Sequence, residues 1–269
     1  MNDHRGDHDP APVEVRPLRP DEHDDVTGLV GATFAADPVF TALLDDPEER
    51  LTATTALYRR VVDDAGRTVD VAVGPGAAAT GGPDGDASDG GASDGGASEA
   101  DVSHADAQDA DASDADATDT NNASDADASD DALLGVALWS WSPGREAHKG
   151  LATIVGHATE ALDLVRDVGA RAAQQLGRHD ALVERHRPTG PHWYLEAVAV
   201  SPAARGRGVG SRLLAARLRE VDARGDVAFL EATTTASRRL YERHGFTLAA
   251  EVVSPLGVTV HAMLRPAQR

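Results

Sequence analysis

The chain has 269 residues, 41% of them hydrophobic, and carries a formal net charge of −20 at pH 7. It contains no cysteine, which excludes disulfides, thiolate metal sites and a cysteine nucleophile. Because an acidic chain without a basic stripe is repelled by nucleic acids and by anionic membrane surfaces, we expect neither as a partner.

Most of the negative charge lies in residues 75–131. This segment consists almost wholly of Ala, Asp, Gly, Ser and Thr, and holds sixteen acidic residues but no Lys or Arg. Removing those sixteen charges from −20 leaves −4 for the rest of the chain. Its small apolar surface cannot offset the entropy of ordering a backbone, about 1–2 kcal/mol per residue. We therefore predict a disordered acidic insertion within a single domain, residues 13–269, that follows a disordered leader, residues 1–12.

The alternating acids near the end of the insertion, such as Asp125 and Asp127, resemble the start of a calcium-binding loop. The central Gly, the closing Glu and the flanking helices of such a loop are missing, so we predict no metal site. A solvated loop is the favoured interpretation, and weak cation or partner binding is the alternative. The single lysine, Lys149, is consistent with a salt-adapted organism or a GC-rich genome, and the Asp-rich insertion favours the former. With no apolar run of 18 residues and no signal-peptide core, we expect a cytoplasmic protein.

The first half of the chain predicts three strands and two helices. An alternating pattern predicts an edge strand, and helical spacing of apolar residues predicts helices before a second strand. The strand pattern resumes after the insertion and matches the strand before it, so we interpret the insertion as an expanded hairpin loop. The strands cover residues 13–19, 69–73 and 133–141, and the helices cover residues 24–34 and 46–64.

The second half begins with a mostly helical stretch, residues 146–187, with a break predicted near Gly169 or Gly177. A nearly continuous apolar strand follows, which is typical of the centre of a sheet. The remaining predicted elements are helices at 209–223 and 236–243 and strands at 193–200, 227–232, 246–253 and 258–264. This order predicts a mixed α/β fold with a central, mostly antiparallel sheet flanked by helices.

The turn between the central strand and the next helix has the composition of a diphosphate-binding site. Glycines at 206, 208 and 210 allow close backbone approach, and the following helix offers unpaired N–H groups. The guanidinium groups of Arg205 and Arg207 would contact phosphate oxygens. The G-x-G-x-G spacing fits neither a dinucleotide fold nor a P-loop. A tight turn without any ligand is the alternative.

The segment from Arg205 to Gly210, RGRGVG, resembles the acetyl-CoA signature of the GNAT superfamily, which is Gln or Arg followed by x-x-Gly-x-Gly or Ala. Residues 229–246, FLEATTTASRRLYERHGF, resemble the second signature of that superfamily. A more local resemblance, over residues 185–265, is to puromycin N-acetyltransferase-like proteins in the HRP, WYL, VSP and YERHGF positions. The insertion has no counterpart there.

The resemblance implies the GNAT acyl-CoA N-acyltransferase fold and acetyl-CoA as co-substrate. It implies transfer of an acetyl group to a primary amine of a small molecule or peptide, allows a homodimer, and does not fix the acceptor. A catalytically inactive acetyl-CoA sensor or interaction module is the alternative. In such proteins strand backbone pairs with the pantetheine arm and turn amides hold the pyrophosphate. Here the strand residues would be Val198, Ala199 and Val200, and Arg205 would contact phosphate through its guanidinium. The turn amides would be those of Gly206, Arg207, Gly208, Val209, Gly210 and Ser211.

Three side chains are candidates for further roles. Tyr241 lies where the superfamily commonly places the acid that protonates the departing thiolate, and packing on the sheet is the alternative. Glu196 is a lone carboxylate in WYLEAVAV, which suggests a general base acting directly or through a water; a salt bridge to an arginine is the alternative. Strand alternation would place Glu196 on one face with Tyr194, Val198 and Val200. Ser237 would bind the cofactor or cap its helix.

Overall fold

The computed structural model of the protein describes residues 13–75, 131–144 and 151–268, with backbone alone for 151–165 and 167. The predicted leader, and the predicted insertion apart from its ends at Pro75 and Asp131, lie outside the described residues. None of the described helices is long and apolar enough to cross a membrane.

Aspartates begin two helices in the first half of the chain. Asp37 accepts a hydrogen bond from the Val39 N–H, and Asp46 accepts one from the Glu49 N–H, so each satisfies a free helix N–H. The elements are β1 (Glu14–Pro17), α1 (His23–Ala35), α2 (Pro38–Leu43), α3 (Pro47–Asp63), β2 (Arg67–Pro75), β3 (Asp131–Ser142) and α4 (Leu151–Val183). Helix α2 was not predicted. Gly169 interrupts α4 with φ 77° and ψ 157°, at one of the two predicted positions.

The second half agrees with the predicted order throughout. Its elements are β4 (His192–Val200), α5 (Val209–Arg224), β5 (Ala228–Ala232), α6 (Thr235–Arg243), β6 (Thr247–Val253) and β7 (Thr259–Arg265). The described strands form one sheet in the order β1-β2-β3-β4-β5-β7-β6. The β4–β5 pair is parallel and the other described pairs are antiparallel, which confirms a mixed, mostly antiparallel sheet.

Strands β2 and β3 are antiparallel neighbours, paired from Arg67 opposite Ser140 to Pro75 opposite Asp131. This pairing confirms the prediction that the strands on either side of the acidic segment form a hairpin. Both ends of that segment therefore meet at one end of this strand pair.

The sheet buries a separate apolar cluster on each face. The α5-side cluster includes Trp139, Leu195 and Leu213, and the α1/α3-side cluster includes Val30 and Ala199. Burying each large aliphatic side chain contributes about 1.5–3 kcal/mol, so these clusters hold the helices to the sheet.

Helix α5 is also fixed to the sheet by a buried ion pair. The Arg217 guanidinium donates to both carboxylate oxygens of Asp70 on β2, at 2.6 and 2.9 Å. The bidentate geometry sets the orientation of α5, whose N-terminus follows the glycine turn.

Candidate active site

Strands β4 and β5 pair over only three residues and then separate. The pairs run from Trp193 opposite Ala228 to Leu195 opposite Leu230. Beyond them β5 continues against β7, and β4 continues against β3 as far as Val200. Within the described sheet, the second half of β4 thus has a free edge facing β5, with backbone N–H and C=O groups available to a ligand.

Glu196 is an extra residue in β4. Across β3, Trp139 pairs with Leu195 and Leu138 pairs with Ala197, so Glu196 has no opposite residue and forms a β-bulge. The bulge changes the alternation of the strand: Leu195 packs in the α5-side cluster, whereas Ala197 packs in the α1/α3-side cluster.

This bulge overturns one prediction. Val198 and Val200 pack against the α5-side cluster. Glu196 instead contacts Arg67, which by alternation shares the α1/α3 face with Val69. The prediction that Glu196 shares a face with Val198 and Val200 is therefore wrong, because regular alternation ends at the bulge. The charge of Glu196 does act on the Tyr194 phenol, so those two groups face the same region.

The predicted diphosphate turn has the backbone conformation that its glycines suggested. Gly206 and Gly208 have φ values of 74° and 77°, in the left-handed region. Gly208 is the N-cap of α5 and supplies no side-chain cap. The N–H groups of the first turn, at Val209, Gly210 and Ser211, therefore point out of the helix end without an intrahelical acceptor. Such an end attracts an anion.

The two arginines of the turn take part differently from the glycines. The amides of Arg205 and Arg207 donate to the carbonyls of Pro202 and Ala204, at 3.3 and 3.4 Å. Their side chains are exposed. Only the guanidinium groups, and not the amides, are therefore available to a phosphate at these two positions.

Gly210 brings the turn close to the free edge of β4. A Cβ added at Gly210 would lie 3.5 Å from Leu240 and 3.7 Å from Val200. The structure thus brings together the two predicted groups, residues 198–200 and 205–211. An uncapped helix end beside an unpaired strand edge fits a ligand with a diphosphate at one end and an amide-bearing arm, as acetyl-CoA has.

Ser237 lies in the capping box of α6. Its N–H donates to the Thr234 hydroxyl at 3.1 Å, and its hydroxyl donates to the Thr234 carbonyl at 2.9 Å. The capping role, which was one of the two predicted alternatives, is therefore observed, and cofactor binding stays a prediction.

Tyr241 is 7% exposed and packs edge-on against Phe246, with ring centroids 6.0 Å apart. Burial raises the pKa of its phenol, and the negative charge of Asp37 raises that pKa further. In the part of the chain that the structure describes, the Tyr241 hydroxyl has no hydrogen-bond partner. The phenol is thus held protonated, as a proton donor must be.

The Glu196 carboxylate lies next to a guanidinium. Its Oε1 is 2.7 Å from Arg67 Nε, and the Glu196 side chain is 12% exposed. Arg67 also pairs with Asp64. The salt bridge that was the predicted alternative is therefore present, while a role as base is neither required nor prevented by it.

Sequence reasoning missed a group of charges beside Glu196. Arg187 Nη2 lies 3.2 Å from Glu231 Oε1 on β5, and the Arg187 guanidinium lies 4.1 Å from the centre of the Tyr194 ring. Burial raises the pKa of Glu231, while Arg187 and a hydrogen bond from Tyr194 lower it. Glu231 stands alone in the apolar strand AFLEA, the same signal that drew attention to Glu196.

Asp180 of α4 belongs to the same group of charges. Although Asp180 is exposed, it lies in a crowded region, and desolvation together with the charge of Glu231 raises its pKa to about 6. Arg187 opposes this rise and Glu184 adds to it. No motif in the helical sequence marks Asp180, because the charges that shift its pKa lie on other elements of the fold.

Asp37 connects the α1–α2 turn to the end of β5. Its carboxylate accepts a hydrogen bond from the Thr233 hydroxyl at 2.6 Å, and burial raises its pKa. Its charge acts on the phenols of Tyr58 and Tyr241 and on His179. Groups from the first helices, from α4 and from β5 therefore converge where β4 and β5 separate.

Residues 129–246 match the Acetyltransferase (GNAT) family. In solved structures, the chain is similar to a histone acetyltransferase HPA2-related acetyltransferase from Corynebacterium glutamicum, with 21% identity over 96% of this chain and 97% of the other, and a TM-score of 0.56. It is also similar to arylalkylamine N-acetyltransferase 2 from Aedes aegypti, with 14% identity over 95% and 99% of the two chains and a TM-score of 0.50. These likenesses establish a shared fold.

Proposed function

We propose that the protein transfers the acetyl group of acetyl-CoA to a primary amine of a small molecule or peptide. The observation that carries this proposal is the separation of β4 from β5 beside the uncapped N-terminus of α5. In this arrangement the free edge of β4 lies next to a diphosphate site at the N-terminus of α5. The GNAT family match over residues 129–246 supports the same chemistry.

In the proposed site the α5 side binds the donor. The first-turn amides of α5 and the guanidinium groups of Arg205 and Arg207 would hold the diphosphate, and the edge of β4 at residues 198–200 would pair with the arm. Bound acetyl-CoA supplies a thioester, whose carbonyl carbon forms a bond to the amine nitrogen while its bond to sulfur breaks.

Two side chains move the protons in this proposal. The acceptor arrives as an ammonium and attacks as a neutral amine, so one proton must leave the nitrogen. Glu196, at the bulge, accepts that proton directly or through a water. The Tyr241 hydroxyl donates a proton to the departing sulfur. The nitrogen then loses its second proton, which restores the Tyr241 phenol, and the first proton leaves Glu196 for water, so the products are the neutral amide and the CoA thiol.

The proposal is tested by binding and turnover with purified protein in high salt, a condition chosen because the composition suggests salt adaptation. Acetyl-CoA should raise the Tm, and a panel of amines that includes puromycin should release the CoA thiol. Binding without thiol release for any amine would instead indicate an acetyl-CoA sensor. Neither stabilisation nor release would overturn the assignment of the donor.

Because residues 185–265 resemble puromycin N-acetyltransferase-like proteins, puromycin should be measured separately as an acceptor. Acetylation of puromycin well above that of simple amines would extend the resemblance from sequence to activity. Activity with other amines but not with puromycin would leave acetyl transfer in place and remove this acceptor.

A further inference from the structure

Carboxylates and tyrosines converge on the α1/α3 face of the sheet, opposite α5. We call this group the tyrosine–carboxylate cluster; it consists of Asp37, Tyr58, Asp180, Tyr194, Glu196 and Glu231. The Tyr194 phenol lies within the electrostatic reach of Glu231, Glu196 and Asp180. The Tyr58 phenol lies within that of Tyr194, Asp37, Glu196 and Asp180.

Tyr58 points to a ligand independently of these charges. Its side chain is 8% exposed and packs against Phe34, with ring centroids 4.4 Å apart. Among the described residues, no group forms a hydrogen bond with its hydroxyl. The ring is buried, but the hydroxyl is not one of the fully buried polar atoms without a partner. A ligand can therefore reach this hydroxyl, on which the charges of Asp37, Glu196 and Asp180 act.

Among the described side chains, carboxylates outnumber guanidinium groups in the ion pairs of the cluster. Arg187 pairs with Glu231, and Arg67 pairs with Glu196 but is shared with Asp64. Glu184 adds a further negative charge beside Arg187. A monoamine does not correct this excess, because it must become neutral before it attacks. A second ammonium group on the same acceptor stays charged throughout the reaction.

We propose that the acceptor is a small amine with a second cationic group, and that the tyrosine–carboxylate cluster binds this second cation through Asp180 and Glu231 while the reacting nitrogen lies at Glu196. The proposal rests on the proposed acetyl transfer and adds the acceptor's charge. Tyr194 is suited to the role because its ring already contacts the Arg187 guanidinium. The Tyr58 hydroxyl accepts a hydrogen bond from the second ammonium.

The test compares diamines with monoamines of equal chain length. The pairs run from 1,3-diaminopropane with propylamine to 1,6-diaminohexane with hexylamine, and thiol release is measured at pH 8. For at least one pair the diamine should have a kcat/KM at least about tenfold higher, the effect of giving a buried charge a partner. Diamine values within twofold of the monoamine values at every length would overturn the proposal.

Two variants identify the residues responsible. Asp180→Asn should lower the ratio of diamine to monoamine kcat/KM at least about threefold. Glu220→Gln removes the same charge from an exposed position on α5, on the opposite face, and should leave the preference unchanged. A preference that is equal in Asp180→Asn and the unmodified protein would contradict the assignment to Asp180.

A binding measurement separates this proposal from the proposed function. In the presence of CoA, which allows no transfer, the diamine should raise the Tm more than its matched monoamine does. Stabilisation by the diamine without turnover would retain the cation site and overturn acetyl transfer. Turnover of both amines at equal rates would retain acetyl transfer and overturn the cation site.

Discussion

The two sides of the proposed site at β4 use different groups to bind their ligands. On the α5 side the proposed donor site consists of backbone: left-handed glycines, first-turn amides and a free strand edge. On the α1/α3 side the tyrosine–carboxylate cluster consists of side chains from the α1–α2 turn, α3, α4, β4 and β5. A donor common to many enzymes can be held by main-chain groups, whereas the choice of acceptor depends on individual side chains. The bulge at Glu196 lies between Leu195, which packs on the α5 side, and Ala197, which packs on the α1/α3 side.

The largest loss of activity is expected for a substitution at Tyr241. Tyr241→Phe removes the proposed proton donor and keeps the packing against Phe246. We expect kcat to fall about 100-fold or more, as is typical when general-acid catalysis is lost, while the Kd for acetyl-CoA stays within twofold. Steady-state kinetics and calorimetry measure the two quantities. An unchanged kcat would exclude Tyr241 from the chemistry.

Glu196→Gln distinguishes a base from a salt bridge. If Glu196 accepts the proton, kcat should fall about 100-fold. Arg67→Met removes the partner of the salt bridge and should reduce kcat much less, since it retains the carboxylate. Equal losses of Tm in both variants with kcat preserved in both would show that the pair is structural and that another group accepts the proton.

A substitution in the glycine turn, at the N-terminus of α5, can be compared with a matched substitution at the C-terminus of the same helix. Gly208→Val places a β-branched residue at φ 77°, next to the helix N-terminus. Strain of about 1–2 kcal/mol and the added side chain should weaken acetyl-CoA binding about tenfold. Gly225→Val puts similar strain at φ 66° at the other end of α5, so it should lower the Tm comparably without changing the Kd. Equal losses of affinity would argue against a donor site at the turn.

The smallest expected effect is a change of diamine preference with pH. The pKa of Asp180 is about 6, raised by desolvation and by Glu231 and Glu184, and opposed by Arg187. A carboxyl group loses its charge below its pKa, so its ionised fraction falls about fourfold between pH 8 and pH 5.5. The preference for diamine over monoamine should fall by about that factor. Asp180→Asn should show no such change, and a preference that rose on acidification would contradict the assignment.

Much of the fold could be predicted from the sequence because local rules apply to it. Helical spacing and the apolar strand at 193–200 place α5 and β4 within a residue or two. Helix α2 was missed because it has only six residues, too few to display a helical period. The turn was recognised because glycine is the residue that adopts left-handed backbone at no steric cost.

The acceptor side of the site could not be predicted in the same way. The face on which Glu196 lies depends on a bulge, which is a property of the pairing with β3 and not of β4 alone. Asp180 gains its raised pKa from Glu231 and Arg187, which lie on other elements. Such convergence requires tertiary contacts between segments that are distant in the chain.

Hydrogen exchange of the backbone amides tests the division between the two faces most directly. Acetyl-CoA alone should slow exchange at residues 197–200 and 206–211 on the donor side. Addition of a diamine to the CoA complex should slow exchange at residues 179–187 and 231–233, with little further change in the glycine turn. The account would be contradicted if acetyl-CoA did not slow exchange in the glycine turn. It would also be contradicted if the diamine slowed exchange on α5 but not on α4.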